Sequence, residues 1–280
     1  MLKVSLSNLS PVEVTWIRFV IAFIILSIYL LIKKPSSFKI FTHPPLLLIL
    51  AAICLGLNYI GFISGINLTT PGIAQIFIQT GPVLLAISGF IFLKEKASVR
   101  QIIGLVIVFG GLAVFYRNQI LELAEDVNKY QMGVLWTVFG AVMWASYAVL
   151  QKRLVKNYDP LELNLILFGL PAIGYLPLVD FQQLFSASII EWGILIFLGC
   201  NTLLAYGSLA YAFKYLEANK VSVIITFNPI ITLSVMSILA LLNVDWIVHE
   251  KFTLVSLSGA SLVITGASLT ILGKKKINRK

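Results

Sequence analysis

Residues 12–32 read VEVTWIRFVIAFIILSIYLLI, an apolar run that contains only two charged residues, Glu13 and Arg18. About 20 apolar residues in an α-helix cross the ~30 Å hydrocarbon core of a bilayer, and a helix satisfies its backbone hydrogen bonds internally. The run ends at Lys33 and Lys34 and lacks a small-residue cleavage site, so it does not match a signal peptide. The stretch therefore predicts a transmembrane helix.

The same pattern recurs along the rest of the 280-residue chain. Hydrophobic residues make up 59% of the sequence and charged residues 12%, whereas soluble domains are about 25% charged, so lipid is the expected solvent. We therefore predict an all-α fold, a polytopic membrane helix bundle of about nine transmembrane helices. The predicted spans lie at about 12–32, 46–66, 72–93, 101–116, 132–150, 162–179, 189–213, 221–242 and 253–272.

The distribution of Lys and Arg predicts the orientation of these helices. The net charge is +9, and the cations separate the apolar runs instead of forming one binding face, which argues against nucleic-acid binding. Of the 21 cations, 16 fall in the C-terminal tail or in the loops after the first, third, fifth and seventh spans. Because cytoplasmic loops are enriched in Lys and Arg, we expect a cytoplasmic C-terminus and an external N-terminus.

The two halves of the chain carry similar motifs in the same order. Ser10-Pro11-Val12-Glu13 precedes Asp159-Pro160-Leu161-Glu162 by 149 residues. Further pairs are Gly81-Pro82 with Asn228-Pro229 at 147 residues, Cys54 with Cys200 at 146, and Glu95 with Glu250 at 155. These matches pair the span at 12–32 with that at 162–179, and each later span with its counterpart. We interpret them as an internal duplication.

The loop charges give paired spans opposite orientations, so the predicted duplication is inverted. Its first repeat lies in 1–117 and its second in 132–280. The span at 132–150 has no partner, so an inverted five-helix repeat predicts that the first helix is missing and the first repeat truncated. Such repeats are typical of secondary transporters, which bind substrate near the membrane midplane between the repeats and expose it to each side in turn.

Several of these motifs resemble the EamA family of the drug/metabolite transporter superfamily. In the first half they are Ser10-Pro11, Trp16-Ile17-Arg18, NLTTPGIAQ at 67–75, Gly81-Pro82 and FLKE at 92–95; in the second half they are EANKV at 217–221, Asn228-Pro229 and Glu250. The resemblance covers essentially the whole chain. It implies ten helices in two inverted five-helix repeats and the export of amino acids, metabolites or toxic compounds. We expect the chain in the inner (plasma) membrane of a bacterium.

Two prolines inside apolar spans are candidate hinges. Pro82 and Pro229 each lack a backbone donor and free the carbonyl four residues earlier, at Ile78 and Ile225. Such a kink can bend between two states and offer a carbonyl to a ligand, or it can be a static kink satisfied by neighbouring helices. The matched positions in the two halves strengthen the hinge interpretation, and the static kink stays open beside it.

Polar and aromatic residues in the spans are the candidate substrate-binding residues. Amides and hydroxyls are costly in lipid, so they are expected to face the bundle, where they either line a substrate path or hold helices together. Aromatic rings either form a wall around substrate or serve as packing and interfacial anchors. The candidates are Gln75, Gln79, Asn58, Asn201, Thr226, Asn228, Trp144 and Tyr147, and Gln79 is the first choice.

Arg18 is the charged residue that lies well inside a span, which marks it as a functional candidate. Three interpretations are open: a pair with Glu13, a side chain that reaches the outer interface, or a contact with substrate. No mid-membrane Asp or Glu is present to couple transport to protons, although His249 near the external end is a weak candidate.

The sequence argues against enzymatic chemistry. Only two histidines are present, His43 and His249, both in predicted loops, and no metal-ligand cluster or paired-aspartate motif occurs. No metal or cofactor is therefore expected, and the expected partners are the lipid bilayer and a small-molecule substrate, with no oligomeric state specified. The main prediction is a secondary transporter that acts by alternating access; the alternative is a truncated, non-transporting membrane protein or scaffold.

Overall fold

The computed structural model describes residues 9–69, 71–95, 98–117, 120–121, 127–228, 230–231, 235, 238 and 254–272. Across these residues the regular structure is helical, with two short 3₁₀ helices at Pro35–Phe41 and Leu176–Leu178. The α-helices are α1 (Pro11–Lys33), α2 (Leu46–Leu68), α3 (Pro71–Ile78), α4 (Thr80–Ile91), α5 (Val99–Phe115), α6 (Val127–Leu154), α7 (Pro160–Tyr175), α8 (Phe181–Phe185), α9 (Ile189–Tyr215), α10 (Ala218–Ile225) and α11 (Leu254–Leu272).

The described helices fit a membrane helix bundle. Six segments are long and apolar enough to cross a bilayer, namely Pro11–Lys33, Leu46–Leu68, Ile73–Ile91, Tyr130–Leu154, Pro160–Leu178 and Ile189–Tyr215. Val99–Phe115 and Leu257–Thr270 are shorter apolar helices. Part of the predicted span at 221–242, including Pro229, lies outside the described residues, as does Glu250. The count of nine helices therefore stays a prediction.

Side-chain caps explain where several helices begin. Ser10 accepts from the amide of Val12 at 3.2 Å, while the carboxylate of Glu13 accepts from the Ser10 amide and hydroxyl. Ser188 and Glu191 form the same capping box at the start of α9. These caps satisfy amides that have no partner within a helix, so polar residues fix the ends of helices whose interiors are apolar.

The chain forms two compact units, and each contains helices from both halves of the sequence. The first unit comprises Met1–Gly81 and Met132–Leu216, and the second comprises Pro82–Gln131 and Glu217–Lys280. Helices α1 and α2 thus share a unit with α7 and α9, while α5 shares a unit with α10 and α11. The units are groupings by contact and do not coincide with the proposed sequence repeats.

In the first unit, α1 and α7 pack antiparallel. At the start of α1, a carboxylate oxygen of Glu13 accepts from the amide of Asp180, which follows α7, at 3.1 Å. At the end of α1, the ammonium of Lys34 lies 2.9 Å from the carboxylate of Glu162 at the start of α7. The hydrogen bond to Glu162 raises the pKa of Lys34 above its ordinary value. Each helix therefore begins beside the segment that follows the other.

Glycines allow α2 and α6 to approach closely in the same unit. A Cβ on Gly61 would lie 2.8 Å from the Cα of Gly140, and one on Gly65 would lie 3.1 Å from the carbonyl oxygen of Gly133. The amide of Asn58 donates to the Gly140 carbonyl at 2.9 Å across this contact. Small residues at such a crossing replace side-chain packing with direct backbone contact, as is common between membrane helices.

In the second unit, α5 and α11 also pack antiparallel through glycines. Near the start of α5, the Thr270 hydroxyl at the end of α11 lies 3.5 Å from the carbonyl oxygen of Gln101. Toward the other end, a Cβ on Gly111 would lie 2.8 Å from the amide nitrogen of Val263, and Gly259 lies against the backbone of Phe115. This pairing corresponds to the predicted counterpart spans 101–116 and 253–272.

Candidate functional site

The apolar segment Ile73–Ile91 is interrupted in its middle. Helix α3 ends at Ile78 and α4 begins at Thr80, so Gln79 occupies a break between them. There the backbone N–H of Gln79 donates to the carbonyl of Ile76, three residues earlier, at 3.1 Å, instead of to the carbonyl four residues earlier as in an α-helix. The Thr80 hydroxyl donates to the Phe77 carbonyl at 2.7 Å. Pro82 lies three residues beyond Gln79 and has no N–H for the Ile78 carbonyl, which explains the break.

Gln79 is held at this break with an unused acceptor. Its side chain is 6% exposed, and its Oε1 is buried with no hydrogen-bond partner among the described residues. Trp144 lies against the adjacent backbone, because a Cβ on Gly81 would be 3.0 Å from its ring. A buried amide oxygen without a donor is costly, and such an atom at a helix break is suited to accept a hydrogen bond from a ligand.

A second group of residues in the first unit surrounds Arg18. Its Nε donates to the Thr202 hydroxyl at 3.1 Å, and its guanidinium carbon lies 4.8 Å from the centre of the Tyr59 ring. The Tyr59 hydroxyl also donates to Thr202 at 3.3 Å, while the Thr202 hydroxyl donates to the Leu198 carbonyl at 2.9 Å. We call Arg18, Tyr59, Thr202, Tyr206 and Tyr147 the Arg18 cluster.

Aromatic rings from α2, α6 and α9 belong to the Arg18 cluster, and Phe19 of α1 lies beside them. The rings of Tyr59 and Tyr206 are 5.6 Å apart, and those of Tyr206 and Tyr147 are 5.7 Å apart. Phe19 lies 4.6 Å from Tyr59, measured between ring centres. Aromatic pairs at these distances are mutually attractive and present broad apolar surfaces together with polar hydroxyls.

A chain of amides leads away from this cluster. The Tyr147 hydroxyl donates to Oε1 of Gln151, and Nε2 of Gln151 donates to Oδ1 of Asn164 at 3.3 Å. The Asn164 amide then donates to the Tyr206 carbonyl at 3.4 Å. These contacts connect α6, α7 and α9 through buried polar groups, and because they are satisfied by one another they fix the orientation of Tyr147.

The three interpretations of Arg18 can now be compared with the structure. Arg18 is 8% exposed, so its side chain does not extend into an exposed position. Glu13 uses one carboxylate oxygen for the Asp180 amide and the other for Ser10, and it forms no ion pair with Arg18. Of the three, contact with substrate remains an open proposal.

The second unit contains a break at the corresponding position. Helix α10 ends at Ile225 and is followed by a turn at Thr226, three residues before Pro229, much as Gln79 precedes Pro82. Thr226 is fully buried and its hydroxyl donates to the Val223 carbonyl at 2.6 Å, whereas Asn228 is exposed. Pro229 itself lies outside the described residues.

Pro82 and Glu95 contact α10 at two levels of the second unit. The Ser222 hydroxyl donates to the Pro82 carbonyl at 2.6 Å. Four residues beyond the end of α4, the Glu95 carboxylate accepts from the backbone amides of Ala218 at 2.7 Å and Asn219 at 3.3 Å, which caps the start of α10. Since the beginning of α4 lies beside Ser222 and the segment that follows α4 lies beside the start of α10, these two helices also run antiparallel.

The structure separates the remaining candidates. Gln75 is half-buried, and Asn58 is occupied by its bond to Gly140 between two helices. Asn201 is exposed, whereas its neighbour Thr202 is 1% exposed and bonds to Arg18.

Sequence reasoning missed Tyr59, Thr202, Gln151 and Asn164. Their signal was a polar residue within or next to an apolar span, but it did not single them out from other polar residues. Metal ligands do not cluster among the described residues.

Comparison with known proteins identifies the family and the fold of this chain. A crystal structure matches 98% of this chain and 93% of its own with a TM-score of 0.76 at 16% identity, which shows a shared fold. The EamA-like transporter family matches residues 1–117 and 131–272. The protein is therefore a helical membrane protein of a transporter class, and it belongs to the EamA-like transporter family. The resemblance found in the sequence is confirmed.

Named relatives agree with this assignment. "Uncharacterized inner membrane transporter YhbE" of Escherichia coli (strain K12) is 31% identical over 277 residues, covering 98% of this chain and 86% of the relative. An "Uncharacterized transporter" of Haemophilus influenzae is 31% identical over 281 residues, covering 100% of this chain and 91% of the relative. An "Uncharacterized transporter" of Archaeoglobus fulgidus is 24% identical over 274 residues, covering 96% of this chain and 92% of the relative.

Proposed function

We propose that this protein is a secondary transporter of small metabolites or amino-acid-like compounds that works by alternating access between two inverted repeats, 1–117 and 132–280. It exports substrate across the inner membrane of a bacterium, with its C-terminus in the cytoplasm, and is not an enzyme. Membership of a transporter family and the "inner membrane transporter" name of a relative support the class and the location.

One observation carries the inverted arrangement. Residues related by the proposed duplication contact each other: Phe19 and Phe168, 149 positions apart, have ring centres 6.4 Å apart, and Tyr59 and Tyr206, 147 apart, have ring centres 5.6 Å apart. In a two-fold arrangement, equivalent residues meet each other only near the axis. These self-contacts within the first unit support a pseudo-two-fold axis that passes through it.

The antiparallel helix pairs support the same arrangement. Counterpart helices α1 and α7 are antiparallel in the first unit, and α5 and α11 are antiparallel in the second. The reciprocal contacts of Glu13 with Asp180 and of Glu162 with Lys34 are those that a two-fold rotation would exchange. When two halves are nearly equivalent, each can adopt the conformation of the other at similar energy. This exchange is the physical basis for opening to one side of the membrane and then to the other.

The matched helix breaks support a transport role for the interrupted segments. Broken helices at membrane depth free backbone groups and are tolerated where neighbouring protein or a cavity satisfies them. Gln79 and Thr226 occupy equivalent breaks, 147 residues apart, and each precedes a proline by three residues. We propose that both breaks act as hinges and that Gln79 contributes its unused acceptor to substrate.

Transport is tested with the full chain in proteoliposomes loaded with a panel of radiolabelled amino acids and metabolites. Efflux that depends on the protein and shows exchange with the same solute outside is the expected result. A folded protein that moves no solute of a broad panel favours the non-transporting scaffold.

Topology is tested separately with single cysteines in a chain whose Cys54 and Cys200 are replaced by Ser. We expect maleimide labelling of a cysteine at Glu95 from the cytoplasmic side and of one at Glu250 from the external side. Labelling of both from the same side would exclude the inverted arrangement.

A further inference from the structure

We propose that the Arg18 cluster is an anion site that binds the carboxylate of the transported molecule through the two terminal nitrogens of Arg18. The proposal rests on the proposed function and names the chemical class of its substrate. It concerns residues of the first unit only.

The charge of Arg18 has no anionic partner in the part of the chain that the structure describes. A guanidinium stays protonated in proteins, so burial cannot neutralise it. The carboxylate of Glu13 is engaged with Ser10 and Asp180, and none of the ion pairs seen among the described residues involves Arg18. A buried cation without an anion is destabilising, and the Tyr59 ring offsets only part of that cost.

Most of the hydrogen-bonding capacity of Arg18 is also unused. A guanidinium has five N–H donors, and the Nε–H of Arg18 is used by Thr202. The two terminal nitrogens of Arg18 have no acceptor among the described residues. Neither nitrogen is completely buried, so a ligand can reach both. Four donors therefore remain for a ligand.

The orientation of the guanidinium is set before any ligand binds. Thr202 holds Nε at 3.1 Å, and the Tyr59 ring lies 4.8 Å from the central carbon. Thr202 is itself fixed, since its hydroxyl donates to the Leu198 carbonyl. A planar fork held in place by two contacts is suited to bind a planar carboxylate through two parallel hydrogen bonds.

The surroundings favour a carboxylate on an organic molecule over an inorganic anion. The cluster supplies one positive charge, which matches a monocarboxylate and would leave a phosphate dianion only half neutralised. The neighbouring side chains are the rings of Phe19, Tyr59 and Tyr206, which offer apolar surface to the body of an organic ligand. Chloride would use the charge but not the planar fork or the rings.

The test measures binding directly, with the full chain in lipid nanodiscs and the shift of its melting temperature against ligand concentration. The probes are amino acids and aromatic or aliphatic monocarboxylates, each paired with its primary amide, plus chloride and phosphate. We expect stabilisation by one or more carboxylates and none by the paired amides. Absence of binding by every carboxylate of the panel, or equal effects of chloride or phosphate, overturns the proposal.

Variants assign the binding to Arg18. Arg18→Gln is expected to weaken carboxylate binding roughly ten- to a hundredfold, the usual effect of losing a charged hydrogen-bond partner. Arg18→Lys keeps the charge but loses the fork and is expected to bind more weakly than the native protein. Arg100→Gln removes an exposed cation on α5 and serves as the matched control, with affinity unchanged.

Two further arms keep the result interpretable. If Arg18→Gln does not fold, Thr202→Val takes its place, because it keeps the shape of the side chain and removes the contact to Nε of Arg18. Native carboxylate affinity in both Thr202→Val and Arg18→Lys overturns the proposal. Failure of the transport proposal is distinguishable, because binding that requires Arg18 without flux refutes only transport. Flux with carboxylate affinity unchanged in Arg18→Gln refutes only the anion site.

Discussion

Replacing Gly61 with Ala tests the close contact between α2 and α6. A Cβ at this position would lie 2.8 Å from the Cα of Gly140 and 2.9 Å from the Trp136 carbonyl oxygen. Carbon atoms prefer separations of about 3.5–4.0 Å, so the helices must move apart by roughly 0.7 Å or more. The obstructing atoms belong to the backbone, so no side-chain rotation can relieve the clash.

The expected cost follows from three contributions. Overpacking of this kind costs about 1–3 kcal/mol. Separation also lengthens the hydrogen bond from Asn58 to Gly140, now 2.9 Å, with a loss of up to about 1 kcal/mol. Alanine in place of glycine stabilises a helix by about 0.5–1 kcal/mol. The net prediction is a decrease in the free energy of unfolding of about 2 kcal/mol, within a range of about 0–3.5 kcal/mol.

The assay is reversible unfolding in mixed detergent and SDS, followed by tryptophan fluorescence. Gly193→Ala is the matched control, because a Cβ at Gly193 in α9 has no neighbour within 4 Å. That variant is expected to gain up to about 1 kcal/mol from helix propensity alone. Equal unfolding free energies for Gly61→Ala and Gly193→Ala would refute the close contact.

Three other predictions concern the helix break and the pair that joins α1 to α7. Gln79→Ala is expected to reduce flux per folded molecule more than it reduces folded yield; proportional losses in the two measurements would leave Gln79 a packing residue. Pro82→Ala restores a donor for the Ile78 carbonyl, so flux is expected to fall while thermal stability is kept or raised; native flux would argue against a hinge. Because the pKa of Lys34 is raised by Glu162, their pair stabilises the fold below that pKa and loses this effect as the pH rises through it. The difference in melting temperature between native protein and Glu162→Gln is therefore expected at pH 7 and should vanish once the pH exceeds the raised pKa of Lys34; a constant difference would show that charge is not its cause.

Covalent geometry made the helix break predictable from the sequence. Proline lacks an N–H wherever it occurs, so an interruption near Pro82 follows from chemistry that no neighbour can change. The structure interrupts the segment at Gln79, one turn before that proline. The length of an apolar run is equally local, which explains why six long membrane helices among the described residues were predictable from the sequence.

The members of the site were harder to predict, because they depend on which side of a helix faces the protein. Asn201 and Thr202 are adjacent, and successive residues on a helix differ by about 100° in direction. The structure exposes Asn201 and buries Thr202 against Arg18. On a segment that is apolar on all sides, the sequence contains no strong signal for which of two neighbours is buried.

Arg18 shows the same limit for partners distant in sequence. Glu13 is nearby on α1 and carries the opposite charge, which made it a reasonable partner. In the structure, Glu13 instead accepts hydrogen bonds from Ser10 at the start of α1 and from the amide of Asp180. Arg18 donates to Thr202, which lies 184 residues later in the sequence. Such long-range contacts depend on helix packing, which local patterns do not encode.

The proposed symmetry also shows what is special about Arg18. The proposed duplication aligns Phe19 with Phe168, Tyr59 with Tyr206 and Glu13 with Glu162, so it places aromatic and acidic residues at matching positions of both repeats. By the same offset of 149 residues, the counterpart of Arg18 is Leu167, which is fully buried. In the proposed arrangement, the position of Arg18 is therefore cationic in the first repeat and apolar in the second. Under alternating access, such an anion site would lie in a different environment in each of the two exchanged conformations, so carboxylate affinity is expected to differ between the two faces of the membrane.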